Sequence, residues 1–98
     1  MIKTSNIACS ELVDKKVVFR ANNIFSEHIE EDKLYIVYSY GYHFPMYVKY
    51  KNTWYENSDK YSVTTSKHQS QARPNKQTKL LNTSEMKRLI YKTSMKGE

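Results

Sequence analysis

The clearest pattern in the chain lies in the stretch KLYIVYSYG, from Lys33 to Gly41, where positions alternate between two faces. Leu34, Ile36 and Tyr38 fall on one side, and Tyr35, Val37 and Ser39 on the other. This is a strand, ended by Gly41. His43, Phe44 and Pro45 make a corner, and the alternation of Met46, Val48 and Tyr50 predicts a further strand over Met46–Tyr50. Lys51–Asn52–Thr53 then forms a short turn into a strand over Thr53–Glu56. Upstream, Lys16–Ile24 supplies Val17, Val18, Phe19 and Ile24 to a first strand, interrupted at Asn22 and Asn23. The acidic run Glu27–Asp32 is read as its connection to the next. Downstream, Asn57, Ser58 and Asp59 are turn formers. A fifth strand is expected over Lys60–Thr65, where Tyr61 and Val63 point together. The gaps are too short for parallel crossovers, which favours an antiparallel meander.

The flanks are less regular. In the lead-in, residues 1–15, Ile7, Cys9, Leu12 and Val13 line either a short helix or an irregular segment. Residues 66–80 are polar without an apolar period and read as an extended loop or arm, held extended at Arg73–Pro74. The C-terminal helix has the strongest start signal. Asn82 as N-cap and Glu85 three residues later compose a capping box, with Leu81 and Met86 placed as a hydrophobic staple. Met86, Leu89, Ile90 and Thr93 form its inward stripe, Lys87, Arg88, Lys92 and Lys96 its outer face, and Gly97 suits its end. The expected fold class is therefore α+β. A single domain over 1–98 would hold a small antiparallel β-sheet of four to five strands across 16–65, packed by a short helix over 83–96.

Composition narrows the class. Ninety-eight residues build one core, and nine Tyr, three Phe and one Trp supply faces to pack, which argues against disorder throughout. Cys9 is the single cysteine, so no internal disulfide forms, in keeping with a reducing, cytoplasmic compartment. No run is apolar enough for a signal peptide or a membrane span. The net charge of +6 is unevenly placed: residues 1–45 carry five basic and six acidic side chains, residues 46–98 eleven and four. Such a basic half suits nucleic acid or an acidic host protein surface. Self-association is compatible too, through the acidic run and the basic half.

Most candidate chemistry sits in SYGYHFP and NSDKYSVTTSKHQSQARP. For nucleic acid, Lys60, Lys67, Arg73 and Lys76 would contact phosphates while Tyr61 or Tyr42 stacks on unpaired bases. His43, Asp59, Thr64, Thr65, His68 and Gln71 form either a polar site or a structural network. An enzymatic reading uses His68 as a base, Ser66 as a hydroxyl and Lys60 or Arg73 as a clamp, but no nucleophile elbow or phosphate-cradling loop supports it. A metal centre would need His43 and His68 with Asp59 or Asp32. With no H-E-x-x-H or C-x-x-C spacing, neither metal nor cofactor is expected.

The block SYGYHFPMYV followed by WYENSDKYSVTTSKHQSQARP resembles an uncharacterised small domain that recurs in phage and plasmid proteins. The matching features are Tyr38–Gly41, His43 with Pro45, Trp54, Asp59–Ser66, His68, Gln71 and the Asn82-capped helix. The resemblance runs from Leu34 to Ile90. It implies a mobile-element protein without an assigned activity, and so an accessory role in binding nucleic acid, or in engaging or inhibiting a host protein, ahead of catalysis.

Overall fold

The computed structural model describes residues 2–29, 34–59 and 63–95. Seven strands form one sheet: β1 (Ile2–Lys3), β2 (Phe19–Arg20), β3 (Ile24–Ile29), β4 (Leu34–Ser39), β5 (Pro45–Tyr50), β6 (Thr53–Asn57) and β7 (Thr78–Leu81). A 3₁₀ turn (Asn6–Ala8) runs into α1 (Cys9–Asp14). α2 (Val63–Ala72) separates β6 from β7, and α3 (Thr83–Met95) closes the described chain.

The strands lie in chain order, β1 to β7. The pairs from β2–β3 to β5–β6 are antiparallel, while β1–β2 and β6–β7 are parallel. The expectation of a four- to five-stranded antiparallel meander is therefore overturned: the sheet is mixed, and each edge is a parallel pair bridged by a helix. Four antiparallel steps separate β2 from β6, so the two strands point the same way, and both crossovers advance in the same direction along the sheet. The right-handed rule for such crossovers then places both bridging helices on one face. In accordance, α1 and the 3₁₀ turn pack against α2.

That face holds the larger core: Cys9 and Val13 of α1, Ala72 of α2, and Phe19, Ile24, Tyr35, Val37, Met46, Tyr47 and Trp54 of the sheet. The opposite face carries Leu34, Ile36, Tyr38 and Val48 under Met86, with Leu81, Leu89 and Ile90 alongside. Covered on both sides, β4 has all six residues buried, and each large apolar side chain so enclosed contributes roughly 1.5–3 kcal/mol. A bulge between Val37 and Tyr38 lets Met46 and its neighbour Tyr47 both reach the first face.

Local expectations fare unevenly. The strand expected over Lys16–Ile24 is two strands, β2 and β3, folded about the pair Asn22–Asn23, and the connection expected from Glu27 begins inside β3. The lead-in contains β1 and α1. The fifth strand expected over Lys60–Thr65 falls partly outside the described residues, and from Val63 the chain is helical. The expected loop over 66–80 is the rest of α2, a short connection and β7. At α3 the capping box is made in both directions: Glu85 N–H donates to Asn82 Oδ1 at 2.8 Å, and Asn82 N–H to Glu85 Oε1 at 2.9 Å.

Candidate nucleic-acid interface

One end of the sheet, where β5 turns into β6, gathers lysines. On the first face a row of residues crosses five strands: His28 lies opposite Tyr35, Tyr35 opposite Lys49, Lys49 opposite Trp54 and Trp54 opposite Thr78. His28 Nε2 donates to the Lys16 carbonyl at 2.9 Å, which brings the end of α1 over this row. Lys49 Nζ sits 5.8 Å from the centre of the Trp54 ring. Burial pushes the Lys49 ammonium below its ordinary pKa, and repulsion from Lys16 and Lys76 adds to the shift. Lys16 and Lys76 thus both lie within electrostatic reach of Lys49, and among the described residues Lys76 alone of the three has a carboxylate partner, Asp14 Oδ1 at 3.1 Å, in an ion pair on the protein surface. Lys51 adds a fourth at the adjoining turn.

Backbone geometry singles out two of these lysines. α1 ends with Lys16 N–H bonded to the Val13 carbonyl at 2.9 Å and Val17 N–H to the Leu12 carbonyl at 3.0 Å, the pattern of a Schellman cap. Its left-handed position normally holds glycine, yet here it is Lys16, with φ 56°. Lys51, the first residue of the two-residue turn between β5 and β6, also has φ 56°. A side chain at such a position costs about 1–2 kcal/mol, so the chain tolerates strain at both places and keeps an ammonium group at each.

Beside this row lies an open groove of about 400 Å³, lined by Asn52, Thr53, Trp54, Gln77, Thr78 and Lys79. Trp54 is 4% exposed and forms its wall rather than a free stacking surface.

The residues singled out in the sequence are scattered about the fold. Lys76 belongs to the basic end. Tyr42, 65% exposed, lies beyond the far end of β4, where its ring meets Phe25 and Tyr38 edge-on at 5.1 and 4.9 Å. Lys67 is exposed on α2. Arg73 is occupied: its guanidinium forks onto Glu56 at 2.7 and 2.9 Å, while Thr78 donates to the same carboxylate at 2.9 Å. The hydrogen bonds to Glu56 raise the Arg73 pKa above its ordinary value. Lys60 and Tyr61 lie outside the described residues. Lys16, Lys49 and Asn52 were overlooked because nothing local marks them; Lys49 is placed by strand register, Lys16 by the cap of α1 and Asn52 by the turn after β5.

The polar candidates divide in the same way. His68 Nδ1 shares a 2.8 Å hydrogen bond with the Ser39 hydroxyl, both residues being buried, and the Tyr40 ring lies 5.2 Å away. Burial lowers the His68 pKa, and Lys67 lowers it further. His68 thus bonds Ser39 and the guanidinium of Arg73 bonds Glu56, so the base of the enzymatic reading and one of its two alternative clamps are engaged in these contacts; the other, Lys60, lies outside the described residues. Asp59 Oδ2 accepts the Thr83 N–H at 2.9 Å and holds the start of α3, which depresses its own pKa. His43 is exposed at the corner after Gly41, where a Cβ on the glycine would come 3.1 Å from His43 Nδ1. Thr64 and Thr65 belong to α2, and Gln71 on the same helix is half-buried.

Asn57, read from the sequence as a turn former, ends β6 instead, and with Gln69 it ties the layers together. Fully buried Asn57 donates to the Pro45 carbonyl at 2.8 Å and to Thr83 Oγ1 at 2.9 Å. Gln69 Nε2 donates to the Asn57 carbonyl at 2.8 Å, and the Tyr47 hydroxyl donates to the Gln69 carbonyl at 2.7 Å.

Among the described residues no group of three His, Cys, Asp or Glu side chains is arranged to hold a metal ion, and no helix is long and apolar enough to cross a membrane. No protein-family model matches the chain, and comparison with curated proteins and with solved structures finds no match.

Proposed function

We propose that this chain is a small, cytoplasmic, phage-like accessory module that binds nucleic acid through the lysine-rich end of its sheet. The observation that carries this reading is the convergence of Lys16, Lys49 and Lys76, with Lys16 held in a left-handed conformation where glycine would be less strained. Mutually repelling ammonium groups destabilise a fold unless an anion joins them, and a chain of phosphates spans several cations at once. Strain retained at such a place accords with a binding role.

The test is fluorescence anisotropy with labelled single-stranded and duplex probes over a salt series. Affinity falls steeply with salt, and replacing Lys16, Lys49 and Lys76 together by Ala reduces the slope of log K against log salt by about two on a single strand and nearly three on a duplex. Absence of binding at low salt, or affinity indifferent to salt, rejects the proposal.

A second reading, docking onto a host protein or inhibiting it, rests on the opposite end of the sheet. There Tyr40 and Tyr42 are exposed beside Phe25, over which the Arg20 guanidinium lies at 5.3 Å. Tyrosine and arginine are common anchors of protein interfaces. A Tyr40→Ala/Tyr42→Ala variant that loses a stoichiometric partner from host lysate, while keeping its nucleic-acid affinity, favours this reading.

A further inference from the structure

The groove beside the lysines has a chemistry of its own. Its floor comes from the starts of β6 and β7, which are parallel with Trp54 opposite Thr78. The segments preceding these two strands therefore emerge at the same end, with Gln77 level with Thr53 and Asn52 one residue further on. They deliver Asn52 and Gln77, both exposed. Each side-chain amide carries a donor and an acceptor side by side. A phosphate accepts hydrogen bonds and so uses only half of this capacity, whereas the edge of a nucleobase, adenine above all, uses both. Thr53, Thr78 and the wall formed by Trp54 complete a space of about 400 Å³, within the usual range of small-ligand pockets.

We infer that this groove is a subsite for one unpaired nucleobase, whose edge is read by the Asn52 and Gln77 amides while the adjoining lysines hold the flanking phosphates. The inference rests on the nucleic-acid reading and deepens it. The base must be unpaired because the site is concave: bases in a duplex are read by an element that projects into a groove of the helix, whereas single-stranded bases can be turned out into a pocket. Lys79 at the rim and Lys49 over Trp54 keep the surroundings cationic.

The experiment compares three probes by anisotropy at two salt concentrations: a short single-stranded oligodeoxyadenylate, a strand of equal length and charge with abasic positions, and a duplex. The intact chain binds the adenine strand about tenfold more tightly than the abasic one, the order expected for one bidentate base contact. Asn52→Ala/Gln77→Ala removes this preference and leaves the salt slope unchanged, with circular dichroism confirming the fold. Salt-dependent binding that is equal on abasic and adenine strands overturns the subsite and leaves the phosphate-binding reading standing. Retention of the preference in the double variant also overturns it. Absence of salt-dependent binding to every probe overturns both.

Discussion

Ser39 and His68 share a buried hydrogen bond of 2.8 Å between the end of the central strand β4 and the middle of α2, 29 residues apart in the chain. The contact joins α2 to the sheet, and burial around it favours the neutral form of His68. Burial depresses the His68 pKa below 6.5, with Lys67 contributing. The folded state therefore takes up its proton at lower pH than the unfolded chain. The stabilisation is complete above pH 6.5 and is lost as pH falls through the folded value. Thermal melts between pH 8 and pH 5 should show stability declining with acidity, and His68→Gln should flatten this decline. His68→Ala leaves Ser39 without its partner and costs about 1–3 kcal/mol. An undiminished pH dependence in the Gln variant would place its origin at another group.

Arg73 and Glu56 respond unequally to removal. The Glu56 side chain is 8% exposed and the Arg73 side chain 49%. Arg73→Ala strands a buried carboxylate supported by Thr78 alone, whereas Glu56→Gln leaves an arginine able to reach water. Urea unfolding should show Arg73→Ala as the more damaging, by about 2 kcal/mol below the native chain. Equal losses in the two variants would contradict this asymmetry.

Lys16 sets stability against binding. Lys16→Gly relieves the left-handed backbone at the end of α1 and removes one of the mutually repelling cations. Stability should rise by about 0.5–1 kcal/mol, while affinity for nucleic acid at low salt falls. Parallel melting and anisotropy measurements check both signs, and a variant that is destabilised, or that binds unchanged, contradicts the role given to this lysine.

The start of α3 is doubly held, by the Asn82–Glu85 box and by Asp59 on the Thr83 N–H. Asn82→Ala should cost about 1 kcal/mol in denaturant unfolding. Asp59 has a depressed pKa through its bond to the Thr83 backbone, so its contribution is present above the ordinary value of 3.8 and disappears as pH falls through the folded one. Acid titration of Asp59→Asn should lack that part of the acid transition.

By itself the sequence determined what depends on near neighbours. Alternation placed Leu34–Ser39 and the strand ending at Tyr50, and Asn82 with Glu85 marked the start of α3, because caps and period-2 faces are decided within a few residues. The candidate site was legible only as an excess of charge and at Lys76. Tertiary structure decided the rest. α2 turns His68, Gln69 and Ala72 inward, so its buried face carries no apolar stripe to announce a helix; His68 and the Gln69 amide nitrogen bond to Ser39 and to the Asn57 carbonyl, which lie far off in the chain. β7 exposes Lys79 and Leu80 and exists through its parallel pairing with β6. That pairing brings Gln77 to the groove that Asn52 also lines, and the register of β3 to β6 sets Lys49 in line with His28, which bonds the Lys16 carbonyl. Contacts of this kind are made by strand order and crossover handedness, which residue spacing does not encode.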